Sequence, residues 1–255
     1  MVFHRRTILG IFAHPDDESM GPGATLAKYA AAGHRVAFTT ATDGGAGRLY
    51  DKRPTDNTEL RKLRREETAR AAEIIGAEFL GFLGWQDGDL KNLNVLEVEE
   101  TIAHILRREK PDVVITFHGS GISYHPDHRV ISMALYSAIF GAAREGWYSK
   151  SEVESLPPHR VSKAYQYTIA RSFLKIVDWP RIVYASPDEE ITTVIDTRDT
   201  ADTKWNAIEA HDTQRGGPPF KLLYDKGGFE KEMFVRVFPT WDPASAREFD
   251  LLEGL

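Results

Sequence analysis

The sequence predicts an α/β fold: a mostly parallel, doubly wound sheet with helices on both faces. Short apolar runs alternate with stretches of helical periodicity over residues 6–142, the pattern of successive βαβ units. Some of those runs, "TILGIFA" and "DVVITFHG" among them, are apolar almost throughout, as strands covered on both faces must be. The chain has 255 residues, 42% hydrophobic and 27% charged, enough for one domain with a sizeable core. No repeat, low-complexity tract or linker interrupts it. A single domain over residues 1–255 is therefore expected, with residues 143–255 less regular.

Taken in order, "TILGIFA" reads as a buried strand and "GATLAKYAAAG" as a helix that Gly33 stops. "HRVAFTTAT", rich in β-branched and aromatic residues, is a second strand. A turn-rich loop over residues 43–58 leads into "ELRKLRREETARAAEIIGA". Strong helix formers, helically spaced charge pairs and Gly76 define that helix and its end. "EFLGFLG" is a short strand, "LNVLEVEETIAHILRREKP" an amphipathic helix closed by Pro111, and "DVVITFHG" another strand. "HPDHRVISMALYSAIFGAA" is a helix with Pro126 near its start. In the second half "AYQYTIA" and "EITTVID" read as strands, and "RDTADTKWNAIEAH" as a helix capped near Asp199 or Thr200. The polar, proline-containing "SKSEVESLPPHR" reads as an insertion loop, and residues 144–160 are expected at the substrate rim.

The net charge of −6 argues against non-specific nucleic-acid binding, which needs a basic face. The chain has no cysteine, so any metal must be held by His, Asp and Glu, and a cytoplasmic location is expected. The apolar run after "MVFHRR" is too short for a signal peptide and ends in charges. No window approaches the roughly 20 apolar residues of a membrane span.

The chemistry concentrates in "HPDDE", residues 14–18. Sites in open parallel sheets lie beyond the carboxyl ends of the strands, and this motif directly follows the first strand. His14 and Asp17 stand three apart across a turn stiffened by Pro15, and can offer a nitrogen and an oxygen to one metal. Asp16, between them, points elsewhere and is free to act as a base. Taken alone, an Asp pair before a helix is more often an N-cap. A second cluster, "YHPDHRV" at residues 124–130, follows another buried strand. Two His-Pro-Asp clusters at strand ends point to one joint metal site. A His-His-carboxylate set leaves coordination positions open, as catalytic sites do. A metal lowers the pKa of a bound water towards roughly 7. A spare carboxylate then takes its proton, and a spare histidine stabilises an oxyanion or protonates a leaving amine. This inventory suits hydrolysis of an amide or ester.

"AHPDDE" together with "HPDH" resembles the PIG-L/LmbE-like zinc-dependent N-acetylglucosaminyl deacetylases, and "LRREETARAAEIIGAEFLGFLGWQDGDL" and "KWNAIEAHDTQ" extend the resemblance. It implies a Rossmann-like single domain, a Zn2+ cofactor and a small acetylated amino-sugar substrate. It matches His14, Asp17 and His128 to the metal ligands, Asp16 to the general base, and His125 to the residue that stabilises the oxyanion or acts as an acid. Asp127 is then expected to orient a neighbouring histidine. Arg64 matches an arginine of the family's R-x-x-E helix on the substrate side, and His211 lies in "HDTQ", where the family carries H-x-S-Q. Ser123 stands where some relatives acting on thiol-pathway glucosaminides carry a tyrosine, and the adjacent Tyr124 is kept as a substrate-side candidate. Family members occur as monomers and as closed rings, so a homo-oligomer stays open.

"GPGAT" lacks the third glycine of a dinucleotide loop and sits beside acids that would repel a pyrophosphate. Arg48, in "TDGGAGRLY" after the second strand, is either a substrate-rim anion contact or an ordinary surface residue. Trp85 is a candidate for stacking on a sugar ring. Three other functions fit the motifs less well. An amidase on a related sugar conjugate uses the same chemistry. A non-haem iron oxygenase shares the 2-His-1-carboxylate set, but such sets often occupy all-β jelly rolls. A non-catalytic sugar- or metal-binding module has no use for a spare base.

Overall fold

The computed structural model describes residues 4–47, 56–149, 151–177, 183–214 and 217–255. Strands β1 (Thr7–Phe12), β2 (Arg35–Thr42), β3 (Glu78–Trp85), β4 (Val113–Phe117), β5 (Lys163–Thr168), β6 (Thr193–Asp196) and β7 (Lys231–Phe238) form one sheet in the order β3-β2-β1-β4-β5-β7-β6. The five strands from β3 to β5 are parallel, and β7 runs antiparallel to both β5 and β6. The helices are α1 (Asp17–Met20), α2 (Gly23–Ala31), α3 (Asn57–Ile75), α4 (Val95–Glu109), α5 (Pro126–Ala142), α6 (Ser151–Glu154), α7 (Arg171–Val177), α8 (Ala201–Ala210) and α9 (Gly217–Asp225). Among the described residues no helix is long and apolar enough to cross a membrane.

Ile8, Leu9, Ile11 and Phe12 of β1 have no solvent exposure, which explains why this strand shows no alternation. Leu9 sits between Ala37 of β2 and Val114 of β4. α2, α3 and α8 pack together as one helical layer, and α4 packs on α5 as the other. Right-handed crossovers on a parallel sheet produce this division. α3 starts where the Asp56 carboxylate accepts from the amides of Thr58 and Glu59, and stops at Gly76 with φ 78°. The strand order reverses between β1 and β4, so the loops that follow these two strands part and leave a crevice. Residues 14–17 follow β1 and residues 125–128 follow β4. The topology alone thus brings the two motifs together.

Two sequence expectations are corrected, and one unassigned stretch gains its elements. None of the described residues among 144–160 borders the crevice cavity. α5 starts beside the crevice and carries the chain to Ala142 at the opposite edge of the sheet. There the buried Arg107 donates to the carbonyls of Ala142, Val153 and Arg144, and the His159 ring bonds the Pro111 carbonyl just before β4. Part of the expected insertion loop is helical, as α6. Finally, α9 and β7 occupy a stretch with no assigned element in the sequence reading. Lys231, Glu232 and Arg236 interrupt the apolar residues of β7 and hide its pattern.

Glu232 nevertheless lies inside. Its side chain and that of Lys204 are each 2% exposed, and Lys204 Nζ donates to Glu232 Oε1 at 2.6 Å and to the Gly21 carbonyl at 2.5 Å. The Glu232 carboxylate also accepts from the amides of Ala24 and Thr25 at the start of α2. One buried pair thus joins α8 and β7 to the α1–α2 junction behind the first motif. Lys204→Met leaves that carboxylate charged and alone, and is expected to cost about 3–5 kcal/mol in urea unfolding. Lys204→Met/Glu232→Gln keeps an oxygen for the α2 amides without a lone charge, and should recover most of the loss. Equal losses in the two variants would refute the charge-pair account.

Candidate active site

The histidine tautomers follow from their partners. His128 Nδ1 lies 3.1 Å from the Gly121 carbonyl, which can only accept, so Nδ1 carries a proton and Nε2 presents a lone pair. His14 Nε2 lies 3.0 Å from Asp87 Oδ1 and 3.3 Å from Asp127 Oδ2, so it donates there and Nδ1 presents the lone pair. These two lone-pair nitrogens face each other at 3.2 Å. Asp17 joins them, with one oxygen 3.6 Å from His14 Nδ1 and the other 3.3 Å from His128 Nε2. Two nitrogens and a carboxylate converging on one point call for a cation between them, either a metal ion or the proton that the nearby carboxylates favour on His14. Two nitrogens and an oxygen, without thiolate, fit a divalent metal ion.

Two other groupings share His14. His125 brings a nitrogen within 4.8 Å of those of His14 and His128. Its Nδ1, however, already accepts from the Asp127 amide as the N-cap of α5. Asp87 and Asp127 form the second grouping, on the far side of the His14 ring. Asp127 accepts from the amides of Gly88 and Leu90, and Asp87 from that of Ala46. These two carboxylates are therefore fixed as orienting partners for His14.

Electrostatics separates the acids. Burial by itself would lower the pKa of His14, but the carboxylates of Asp127, Asp17 and Asp87 outweigh it and raise it well above the ordinary value. Burial would raise Asp17, yet His128 and His14 hold it far below the usual carboxylate range. Its neighbour Asp16 moves the other way. Burial pushes Asp16 up to about 6, with Arg64 opposing and Asp17 adding to the rise. His125 is lowered by burial and by the two nearby histidines.

The backbone explains how adjacent aspartates come to differ. Asp16 has φ 96°, in the left-handed region, and its side chain makes no capping bond to α1. The Asp pair is thus not a helix cap. The left-handed turn sends the two carboxylates to different partners. The Asp16 amide donates to Glu18, and its carboxylate accepts from Arg64 NH2 at 3.2 Å. Arg64, 3% exposed, also donates to the carbonyls of Pro15 and Gly44. Gly44 has φ 74°, and a Cβ there would lie 2.3 Å from Arg64 NH1, so only glycine fits against that side chain. Arg64 lines the cavity, and its bonds to Pro15 and Asp16 hold the first motif in place.

His14, Asp16, Asp17, Arg64, His125 and His128 all line one cavity of about 480 Å3, and Asp127 lies fully buried behind it. Two substrate-side candidates are corrected. His211 has no solvent exposure; its Nε2 lies 2.6 Å from Glu18, and it braces the first motif from behind. Thr213 in the same segment donates its hydroxyl to Glu67 of α3, so this part of "HDTQ" is a strut, while Gln214 at its end lines the cavity. Tyr124 is 51% exposed and turns its ring towards Tyr184, while Ile122 and Ser123 line the cavity in its place. Trp85 packs against the core instead of a sugar position. Arg48 lies outside the described residues. Asp87 was missed, although it stands just past a parallel strand, the same positional signal that marked the two motifs.

The family described as PIG-L, GlcNAc-PI de-N-acetylase, matches residues 9–139. A 1D-myo-inositol 2-acetamido-2-deoxy-alpha-D-glucopyranoside deacetylase from Thermomonospora curvata is 32% identical, over 98% of this chain and 97% of that protein. Among solved structures, N,N'-diacetylchitobiose deacetylase from Pyrococcus horikoshii superposes with a TM-score of 0.72 at 23% identity, covering 91% of this chain and 83% of that one. The 4-carboxy-2-hydroxymuconate hydratase GalB from Pseudomonas putida reaches 0.70 at 20% identity, covering 93% and 98%. The fold therefore hosts more than one reaction, and the chemistry must be argued from the site. The strand order, the two His-Pro-Asp motifs and the full-length similarity agree: the chain belongs to the PIG-L, GlcNAc-PI de-N-acetylase, family.

Proposed function

We propose that this protein is a zinc-dependent deacetylase that hydrolyses the acetamide of an N-acetylglucosamine-type sugar, acting as one domain in the cytoplasm. The observation that carries this reading is the pair of opposed lone pairs on His14 and His128 with Asp17 beside them, next to a carboxylate that is not needed as a ligand. The names of full-length relatives support the substrate class.

In this reading His14, Asp17 and His128 hold the zinc, which supplies Lewis acidity towards the acetamide carbonyl. Asp16 takes the proton of the attacking water and passes it to the leaving amine, a task for which a carboxyl raised to about 6 is well placed. Arg64 fixes the position of that carboxylate. His125 keeps Nδ1 occupied by the helix, so Nε2 carries its proton into the cavity as a donor to the developing oxyanion. Asp127 and Asp87 hold the His14 ring in the tautomer that leaves Nδ1 open.

Elemental analysis after zinc reconstitution and desalting should find about one zinc per chain, and His14→Ala/His128→Ala should lose it. A wild-type protein that keeps no metal would overturn the proposal. Asp16→Ala should retain zinc while acetate release from N-acetylglucosaminides falls by about 10²–10⁴-fold in kcat. Near wild-type turnover in that variant would remove Asp16 as the base.

A further inference from the structure

The cavity does not end at the metal-ligand cluster. It continues along the carboxyl edge of the sheet, past β5, to the start of β7. Because β7 is antiparallel, its first residues lie at the same edge as the ends of the parallel strands. This second half is walled by Ile169, Phe173, Leu174, Leu223, Phe229 and Met233. Phe173 and Leu174 come from α7, Leu223 from α9, and these pack into a small apolar cluster separate from the main core. Gly228 leaves room for the Phe173 ring; a Cβ there would lie 3.0 Å from its Cζ.

Most of the polar groups on this wall are already engaged. Lys204 and Glu232 bond each other, the Gly21 carbonyl and the α2 amides. Thr168 Oγ1 bonds Ser186 Oγ at 2.8 Å. Lys231, with an exposed side chain, and the Tyr167 hydroxyl, which makes no hydrogen bond among the described residues, are cavity-lining exceptions. A polyol seated against these apolar side chains would give up more hydrogen bonds to water than Tyr167 and Lys231 could return. An apolar group would gain by the transfer.

We infer that this half of the cavity binds an apolar substituent, alkyl or aryl, carried by the amino sugar whose N-acyl amide reaches the metal end. The inference rests on the deacetylase reading for what sits at the metal end; the apolar subsite itself can be read without turnover. The substituent can be a glycosidic aglycone or an extended N-acyl chain, and the two share one chemistry.

The test uses zinc-reconstituted protein and a series of alkyl glucosides from methyl to octyl, below micelle-forming concentrations, followed by calorimetry. Affinity should rise by roughly fourfold for each methylene that becomes buried. Phe173→Ala/Leu174→Ala should flatten the series while leaving turnover of methyl N-acetylglucosaminide unchanged. If that variant fails to fold, the wild-type series still decides. Turnover of alkyl N-acetylglucosaminides against N-butanoyl and N-hexanoyl glucosamine then tells which source the subsite takes; a gain in either supports the inference. A flat alkyl series in the wild type, or tighter binding of an inositol glycoside than of the octyl one, overturns it. Loss of deacetylation on every sugar with a steep binding series would instead overturn the proposed function alone.

Discussion

Two imidazole nitrogens with their lone pairs aimed at each other repel unless a cation lies between them, and much of this structure serves to hold them that way. Each ring is locked from behind by a group that can only accept a proton: the Gly121 carbonyl for His128, and the Asp87 and Asp127 carboxylates for His14. His128 is also stacked on Phe117, with ring centroids 3.9 Å apart and nearly parallel planes. The Gly121 carbonyl is set by a tight loop in which Gly121, Ile122 and Tyr124 all have positive φ. For a β-branched residue such as Ile122 that conformation costs on the order of 1–3 kcal/mol, and it persists only where the surroundings over-determine it. Here the Tyr184 amide donates to the Ile122 carbonyl, and the Ile122 side chain reaches the cavity wall.

The same economy explains the neighbouring aspartates. Asp16 and Asp17 are adjacent and both half-buried in the crevice, yet one carboxyl is pushed up and the other held down. The left-handed turn at Asp16 separates them, giving Asp17 to the histidines and Asp16 to Arg64. Two titratable groups forced apart in this way take different chemical roles. Behind them the buried Glu18–His211 pair fills the space a substrate contact would need. That pair restrains the turn, because Glu18 also accepts the Asp16 amide.

The parts of the fold legible in the sequence were those where burial imposes a period. β1, β2, β4 and the helices α2 to α5 stand close to where apolar patterning and cap residues place them. The two His-Pro-Asp motifs were legible because each follows a buried strand, and the sheet order makes them meet. Asp87 escaped because a single aspartate in a glycine-rich turn looks like turn chemistry; its partner, His14, is remote in sequence. His211 was placed at the substrate through the resemblance of "HDTQ" to the family's H-x-S-Q segment. Its pairing with Glu18, 193 residues away, is invisible without the fold. β7 escaped because its inward glutamate is tolerated only through Lys204, itself remote in sequence.

On the proposed reading, chemistry and substrate selection are written in different stretches of the chain. The family match covers residues 9–139, and every group assigned to the metal or to proton transfer lies within it. The apolar wall is built from residues 169–233, beyond that match, on α7, α9 and the antiparallel strand that the first half does not specify. Motifs fix a reaction because few residue types at few positions can perform it. A wall that only excludes water can be built from many apolar residues, so no short pattern announces it. The reaction is thus readable from the sequence, while the shape of what reacts emerges only when the last strands fold back along the edge of the sheet.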